Sequence, residues 1–289
     1  MATLRDLKRQ IKSVKNIAKV TEALQTVSAV KFRKAEARVK RARPYAENME
    51  EMMRDVARQA RGESPLLVGR EGNRVALASL TADRGLAGGF NAQVLRRSWQ
   101  FRREREADEF VQVASGRKAV AFFRFRRVEL AESYTGFSDS PTYEKAREIG
   151  YSLVRLFEEE EADEVYLVYN RFESALTQRP VLTRLLPVAP EDEDEEEEDA
   201  SGTFLEYIPD ADTILRKLVP RYVETMVWQA LLESAAGEHG ARMTAMKNAT
   251  DNANDLTKDL TLEMNKARQA QITSEISEIA AGAEALSAG

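Results

Sequence analysis

The chain has no cysteine and a single histidine, His239. Disulfides, thiolate metal sites, iron–sulfur ligation and a cysteine nucleophile are thereby excluded. So are multi-histidine metal centres and most histidine relays. Aromatic residues make up only 7% of the 289 positions, which favours long solvated helices over a wide aromatic core. No stretch approaches the roughly 20 apolar residues of a membrane span. The opening MATLRDLKRQIKSV lacks the continuous apolar core of a secretory signal. A soluble, cytoplasmic protein is the expectation. Proline is absent from Met1 to Arg43 and from Arg221 to Gly289, and no glycine precedes Gly62. Two breaker-free ends therefore flank a middle that holds all eight prolines.

Charge is spread unevenly. Residues 1–58 carry 15 Lys/Arg against 7 Asp/Glu, net +8, and residues 210–289 carry 8 against 12, net −4. The run EDEDEEEED, Glu191–Asp199, supplies nine of the negative charges behind the overall −5. An unbroken acidic run lacks the turn that would converge carboxylates on one cation, so a solvated loop is expected.

In the first segment Leu4, Leu7, Ile11, Val14, Ile17, Val20, Leu24 and Val27 recur every three or four residues, with lysines and arginines between. That is an apolar stripe on a basic helix, near a heptad seam but with a phase slip at Ile17. The last segment repeats the pattern at Leu256, Leu260, Met264, Ala267, Ile272, Ile276, Ile279, Ala283 and Leu286, and upstream at Leu215, Leu218, Tyr222, Met226 and Leu231. Stripes this narrow cannot be satisfied alone. The two ends should pack antiparallel as a coiled coil, with Gly237 and Gly240 casting doubt on one unbroken helix.

The middle alternates. Strands are expected at Val75–Leu80, Phe110–Ala114, Val128–Ala131, Val165–Tyr169 and Val181–Val188. Helices are expected from Asn91, around Lys118–Phe123, and over Pro141–Glu159 behind a cap of Asp139 and Ser140. Such alternation argues for a parallel, Rossmann-like α/β domain. The fold class is therefore a long antiparallel coiled coil with an inserted α/β domain: 1–58 first helix, 59–209 domain, 210–289 last helix.

Spacing yields no active site. The loop TADRGLAGGFN, Thr81–Asn91, is rich in glycine between a strand and a helix, yet fits neither dinucleotide nor P-loop spacing. His239, in GEHGARM, has no second histidine nearby and reads as structural or exposed. Lys8 to Lys19 could touch phosphates, but no aromatic or arginine pattern suggests base readout, so a nucleic-acid partner is not expected.

Three stretches carry a resemblance: RDLKRQIKSVKNIAKVTEALQTVSAVKFRKAEARV, TADRGLAGGFN, and ARMTAMKNATDNANDLTKDLTLEMNKARQAQITSEISEIAAGAEAL. Together they resemble the gamma subunits of bacterial F-type ATP synthases, over effectively the whole chain. The resemblance implies a central rotor shaft that couples proton flow to ATP synthesis or hydrolysis, without nucleotide, cofactor or catalytic residues of its own. Its implied partners are the alpha and beta subunits of the catalytic head, epsilon, and the ring of c subunits. Its implied place is the cytoplasmic face of the bacterial plasma membrane, held only through the complex.

Motif by motif, the resemblance implies that Arg268 and Gln269 in KARQ contact a beta subunit, with Arg242 and Thr273 at further coupling positions. Leu24 stands where the family usually has Met on the shaft, facing beta, and Arg84 lies in the loop near the lower part of beta. Tyr207, Ile208, Pro209 and Asp210 match the foot near the c ring and epsilon. Ala87 replaces a frequent Cys and Met264 a frequent aromatic, and the acidic run is longer than usual. Two other readings compete: a free-standing coiled-coil scaffold, and a nucleotide-binding enzyme built on Gly85–Gly89.

Overall fold

The computed structural model describes residues 3–59, 65–106, 108–188 and 211–287. In chain order the elements are α1 (Leu4–Gln59), α2 (Pro65–Val68), β1 (Arg74–Leu80), α3 (Phe90–Glu104), β2 (Glu109–Ser115), α4 (Arg117–Phe125), β3 (Leu130–Tyr134), α5 (Tyr143–Glu158), β4 (Glu164–Phe172), β5 (Gln178–Leu186) and α6 (Ala211–Ser287). They form two compact units, residues 28–242 and the paired segments 1–27 and 243–289. The acidic run and the Tyr207–Asp210 foot lie outside the described residues.

The larger unit is built on a five-stranded sheet of order β3-β2-β1-β4-β5. Alternation along β1 divides the core. Val75 and Leu77 face α3 through Val94 and Phe101. Ala76 and Ala78 face the other way, into a core shared by Ile149 and Leu153 of α5, Met53 and Val56 of α1, and Val223 and Val227 of α6. The expected all-parallel sheet is corrected at one edge, since β5 runs antiparallel to β4. The linker explains it: the backbone N–H groups of Glu173 and Ser174 both bond the Thr177 carbonyl, a tight turn too short for a crossover.

Two boundaries also move. The edge strand β3 starts at Leu130 and runs into the polar ESY, with Tyr134 opposite Ser115. The apolar Val128, ahead of Leu130, pulled the expectation two residues too early. Helix α5 is preceded by Thr142 in extended conformation, φ −114° and ψ 157°. Asp139 is not its cap because that carboxylate is engaged with Lys31 of α1.

Within this unit α1 and α6 run antiparallel: a Cβ on Gly240 would lie 3.4 Å from Phe32, and Arg43 pairs with Glu233. The doubt over Gly237 and Gly240 is resolved, for α6 is continuous through both. A Cβ on Gly237 would lie 3.0 Å from the Phe90 ring and 3.1 Å from Gln178, and one on Gly240 would lie 3.0 Å from the Ala175 carbonyl oxygen. These glycines admit neighbours; they do not break the helix.

In the smaller unit the buried seam is Leu7, Ala18 and Thr21 on α1 with Met246 and Ala253 on α6. The Thr21 and Thr250 hydroxyls lie 2.6 Å apart. The expected phase slip is absent. The seam keeps strict heptad steps through Ala18, Thr21 and, in the larger unit, Ser28, while Ile17, Val20 and Val27 stay more than half exposed. Small and hydroxyl residues hold the seam here because they let backbones approach closely, and an apolarity count passes over them.

Candidate functional site

In an open α/β sheet a ligand binds beyond the strand ends where the chain reverses direction across the sheet. Here that point lies between β1 and β4. The crevice is filled by the chain's own α6. Over the neighbouring ends of β1 and β2, Leu231, Ser234 and Glu238 close against Thr81, Phe90 and Ser138, leaving about 10 Å³, barely the volume one water needs. Asn170 of β4 adds a 2.8 Å bond from its amide to the Phe90 carbonyl.

The glycine-rich loop is tied down in the same manner. The Ala82 N–H donates to the Asn91 side-chain oxygen at 2.8 Å and the Asp83 N–H to the Ser138 hydroxyl at 2.8 Å. Burial raises the Asp83 pKa, but N–H donors from Gly136, Ser138 and Arg117 outweigh it and hold the carboxyl below its ordinary value. Gly116, at φ 91°, cannot be replaced: a Cβ there would sit 2.1 Å from the Thr81 carbonyl oxygen. The amides of Ala82 and Asp83, at the start of the loop, therefore already have partners within the chain.

Two of the residues singled out from the sequence meet in this loop. Arg242 of α6 is 8% exposed. Its guanidinium donates to the Gly85 carbonyl at 3.1 Å and to Glu238 at 2.6 Å. Arg84, the next residue back, is exposed, and its carbonyl accepts from the Asn91 amide at 3.3 Å. Arg242 therefore holds the loop that presents Arg84.

The other candidates belong to the smaller unit. Leu24 is half-buried on α1. Arg268, Gln269 and Thr273 lie on α6 within a stretch, residues 268–283, that is exposed at every position. Thr273 donates only to the Gln269 carbonyl one turn back, at 2.9 Å. On the same stretch Ile272, Ile276 and Ile279 are 44%, 61% and 72% exposed.

Sequence reasoning missed a buried polar axis on α6. Glu233, 5% exposed, accepts from the Phe172 N–H at 3.0 Å and pairs with Arg43 of α1 at 3.6 Å. His239, 1% exposed, places Nε2 3.1 Å from the Asp139 carbonyl oxygen, and the Asp139 carboxylate bonds Lys31. The Glu238–Arg242 spacing of four was a legible signal. The Glu233–Arg43 and His239–Asp139 contacts, far apart in sequence, had none.

A family model described as ATP synthase matches residues 3–286. The ATP synthase gamma chain of Rubrobacter xylanophilus is 72% identical over 291 residues, spanning 100% of both chains. That of Pelotomaculum thermopropionicum is 47% identical over 289 residues, 99% of this chain and 100% of its own. Among solved structures, a chain of the Euglena gracilis mitochondrial ATP synthase OSCP/F1/c-ring assembly superposes with a TM-score of 0.69. It covers 99% of this chain and 95% of its own length at 18% identity, a likeness of fold.

Proposed function

Because the chain belongs to the ATP synthase gamma family, we propose that it is the central rotor shaft of a bacterial F-type ATP synthase. It carries no catalytic site of its own. It couples proton flow through the c ring to ATP synthesis or hydrolysis at the beta subunits, and works with alpha, beta, epsilon and the c ring. No helix among the described residues is long and apolar enough to cross a membrane. The chain is held at the cytoplasmic face of the plasma membrane through those partners.

One observation carries this reading. Residues 268–283 of α6 are exposed at every position, three isoleucines included. Burying such a side chain contributes about 1.5–3 kcal/mol, and this chain supplies no cover for them among its described residues. A sleeve of other subunits would. A free-standing scaffold has no reason to keep this end uncovered.

Arg268 and Gln269 sit at the start of that stretch with their side chains free to face a partner. An arginine fork on a carboxylate and an amide beside it form hydrogen bonds of about 1.5–3 kcal/mol each when one partner is charged. A contact remade on every turn acts on the rotational barrier more than on assembly. Changing Arg268→Ala together with Gln269→Ala should leave subunit stoichiometry intact and lower steady-state ATP hydrolysis at least about tenfold, equivalent to about 1.4 kcal/mol. Arg268→Lys should recover part of it, because a point charge lacks the fork. Normal turnover in the purified double variant would remove both residues from the mechanism. A chain that fails to copurify with alpha and beta would overturn the rotor reading itself.

A further inference from the structure

The side of the sheet away from α1 and α6 holds a feature that the rotor role does not use. Between α3 and α4 lies an open groove of about 800 Å³. Leu95, Trp99 and Phe122 floor it, and Arg96, Arg103 and Arg126 stand on its rim. The two rings meet edge to face with centroids 6.1 Å apart. The Arg126 guanidinium lies over both, 3.7 Å from the Phe122 centroid and 5.0 Å from that of Trp99. Phe125, at the end of α4 and next in sequence to Arg126, is 84% exposed.

The charge here opposes that of the chain. Residues 96–127 hold nine arginines and one lysine against four carboxylates, within a protein of net −5. Among the described residues no carboxylate pairs with Arg96, Arg103 or Arg126. The carboxylates on the lip are Glu104 and Glu106, and Glu104 is taken by Arg97 at 3.2 Å and Gln100 at 2.7 Å. Stacking fixes the plane of Arg126 and leaves its N–H edge without a partner, an arrangement that suits a carboxylate. Half-buried Trp99 and Phe122 beside exposed arginines in one concave patch is the composition of a binding hot spot.

We propose that this groove docks an acidic segment of another subunit of the same complex, with a large apolar side chain laid on Trp99 and Phe122. Its carboxylates would take the forks of Arg96, Arg103 and Arg126. The two glutamates on the lip break the positive charge into separate spots rather than one continuous track, which suits the spaced carboxylates of a peptide better than an unbroken phosphate chain. The choice of partner rests on the rotor reading.

The test is photo-cross-linking in the assembled complex. p-Benzoylphenylalanine replaces Gln100, an exposed residue on the lip, and cross-linked peptides are identified by mass spectrometry. The expected product joins position 100 to a segment of another subunit rich in Asp and Glu. Its yield should fall at least tenfold when Arg96→Glu and Arg103→Glu are combined; both side chains are exposed, and an unchanged Tm checks the fold. Absence of a product, a product with this chain's own acidic run Glu191–Asp199, a product with nucleic acid, lipid or a basic segment, or a yield that ignores the charge reversal overturns the proposal. If the complex assembles and hydrolyses ATP normally in those cases, the rotor reading stands without the groove. If the chain does not copurify with alpha and beta, both fall.

Discussion

Two stretches of one helix, α6, are opposites. Residues 231–240 are buried on every side, while residues 268–283 are exposed on every side. The first, LLESAAGEHG, contains two glycines, two glutamates and a histidine; the second, RQAQITSEISEIAAGA, contains three isoleucines and no glycine before Gly282. By composition alone the second would be taken for the buried one. Burial of 231–240 depends instead on small residues that admit neighbours and on partners for its charged groups and the histidine Nε2: Glu233 on Phe172 and Arg43, Glu238 on Arg242, His239 on Asp139. The Ser234 hydroxyl and His239 Nδ1 have none among the described residues. A helix gripped in this manner is fixed to its α/β body by directional bonds. A helix left bare is suited to contacts that form and release.

The sharpest way to break this contrast is hydrogen exchange on the full chain. Amides in 231–240 should open only with global unfolding and show protection of about 10⁴ or more, given a stability of at least about 5 kcal/mol. Amides in 268–283 should show protection below about 10, since a bare single helix frays. In the assembled complex the second figure should rise while the first holds. Equal protection of both stretches in the isolated chain would show that the exposed end finds cover within its own chain.

Substituting one glycine in each stretch sharpens the contrast further. Gly237→Leu would drive a side chain into the Phe90 ring and Gln178. Overpacking of that kind costs about 1–3 kcal/mol or more and should lower the Tm of the chain by several degrees. Gly282→Ala meets nothing within 4 Å and removes a helix-interior glycine, so it should be neutral or stabilise by up to about 1 kcal/mol. Thermal melts of the two variants side by side check the pair. A tolerated Gly237→Leu would mean that the body can slide along the helix it grips.

The contrast also marks what the sequence disclosed. The order of strands and helices was legible from periodicity and turn residues, since β1, β4, α3 and α5 each announce themselves locally. The inward role of Gly237 and Gly240 was not, because a glycine that breaks a helix and one that admits a neighbour look alike until the neighbour is known. Arg242 stood out by resemblance as a coupling position, yet its hold on the Gly85 carbonyl depends on residues 157 positions apart. The unbroken seam through Ala18, Thr21 and Ser28 was hidden by Ile17 and Val20, which are more apolar and lie on the outer side. Arg268, Gln269 and Thr273 came from the resemblance alone; the structure adds that one exposed stretch of helix carries all three.

The smallest expected effect concerns His239. Burial dominates its environment and pushes its pKa below 6.5; the Asp139 carbonyl and the charges of Glu238 and Asp139 oppose that push, and Arg242 adds to it. Lys31, bonded to Asp139, adds a further positive charge nearby. A base with a depressed folded pKa is neutral in both states at pH 7.5 and contributes nothing to the slope of stability there. As pH falls below 6.5, the unfolded chain protonates this imidazole and the folded chain does not. Stability then drops by at most about 1.4 kcal/mol per pH unit until the folded pKa is reached. The carboxylates with lowered pKa values start from 3.8 for Asp6, Asp83, Asp139 and Asp163 and from 4.5 for Glu144. They lose their contribution in a more acidic window, so the two effects separate. His239→Gln can keep an N–H toward the Asp139 carbonyl while removing the titration. Between pH 7.5 and 5 the Tm of the parent chain should fall, and that of the variant should fall less, with the curves converging in shape above pH 7. Parallel curves down to pH 5 would mean that the His239 ring accepts its proton inside the folded helix.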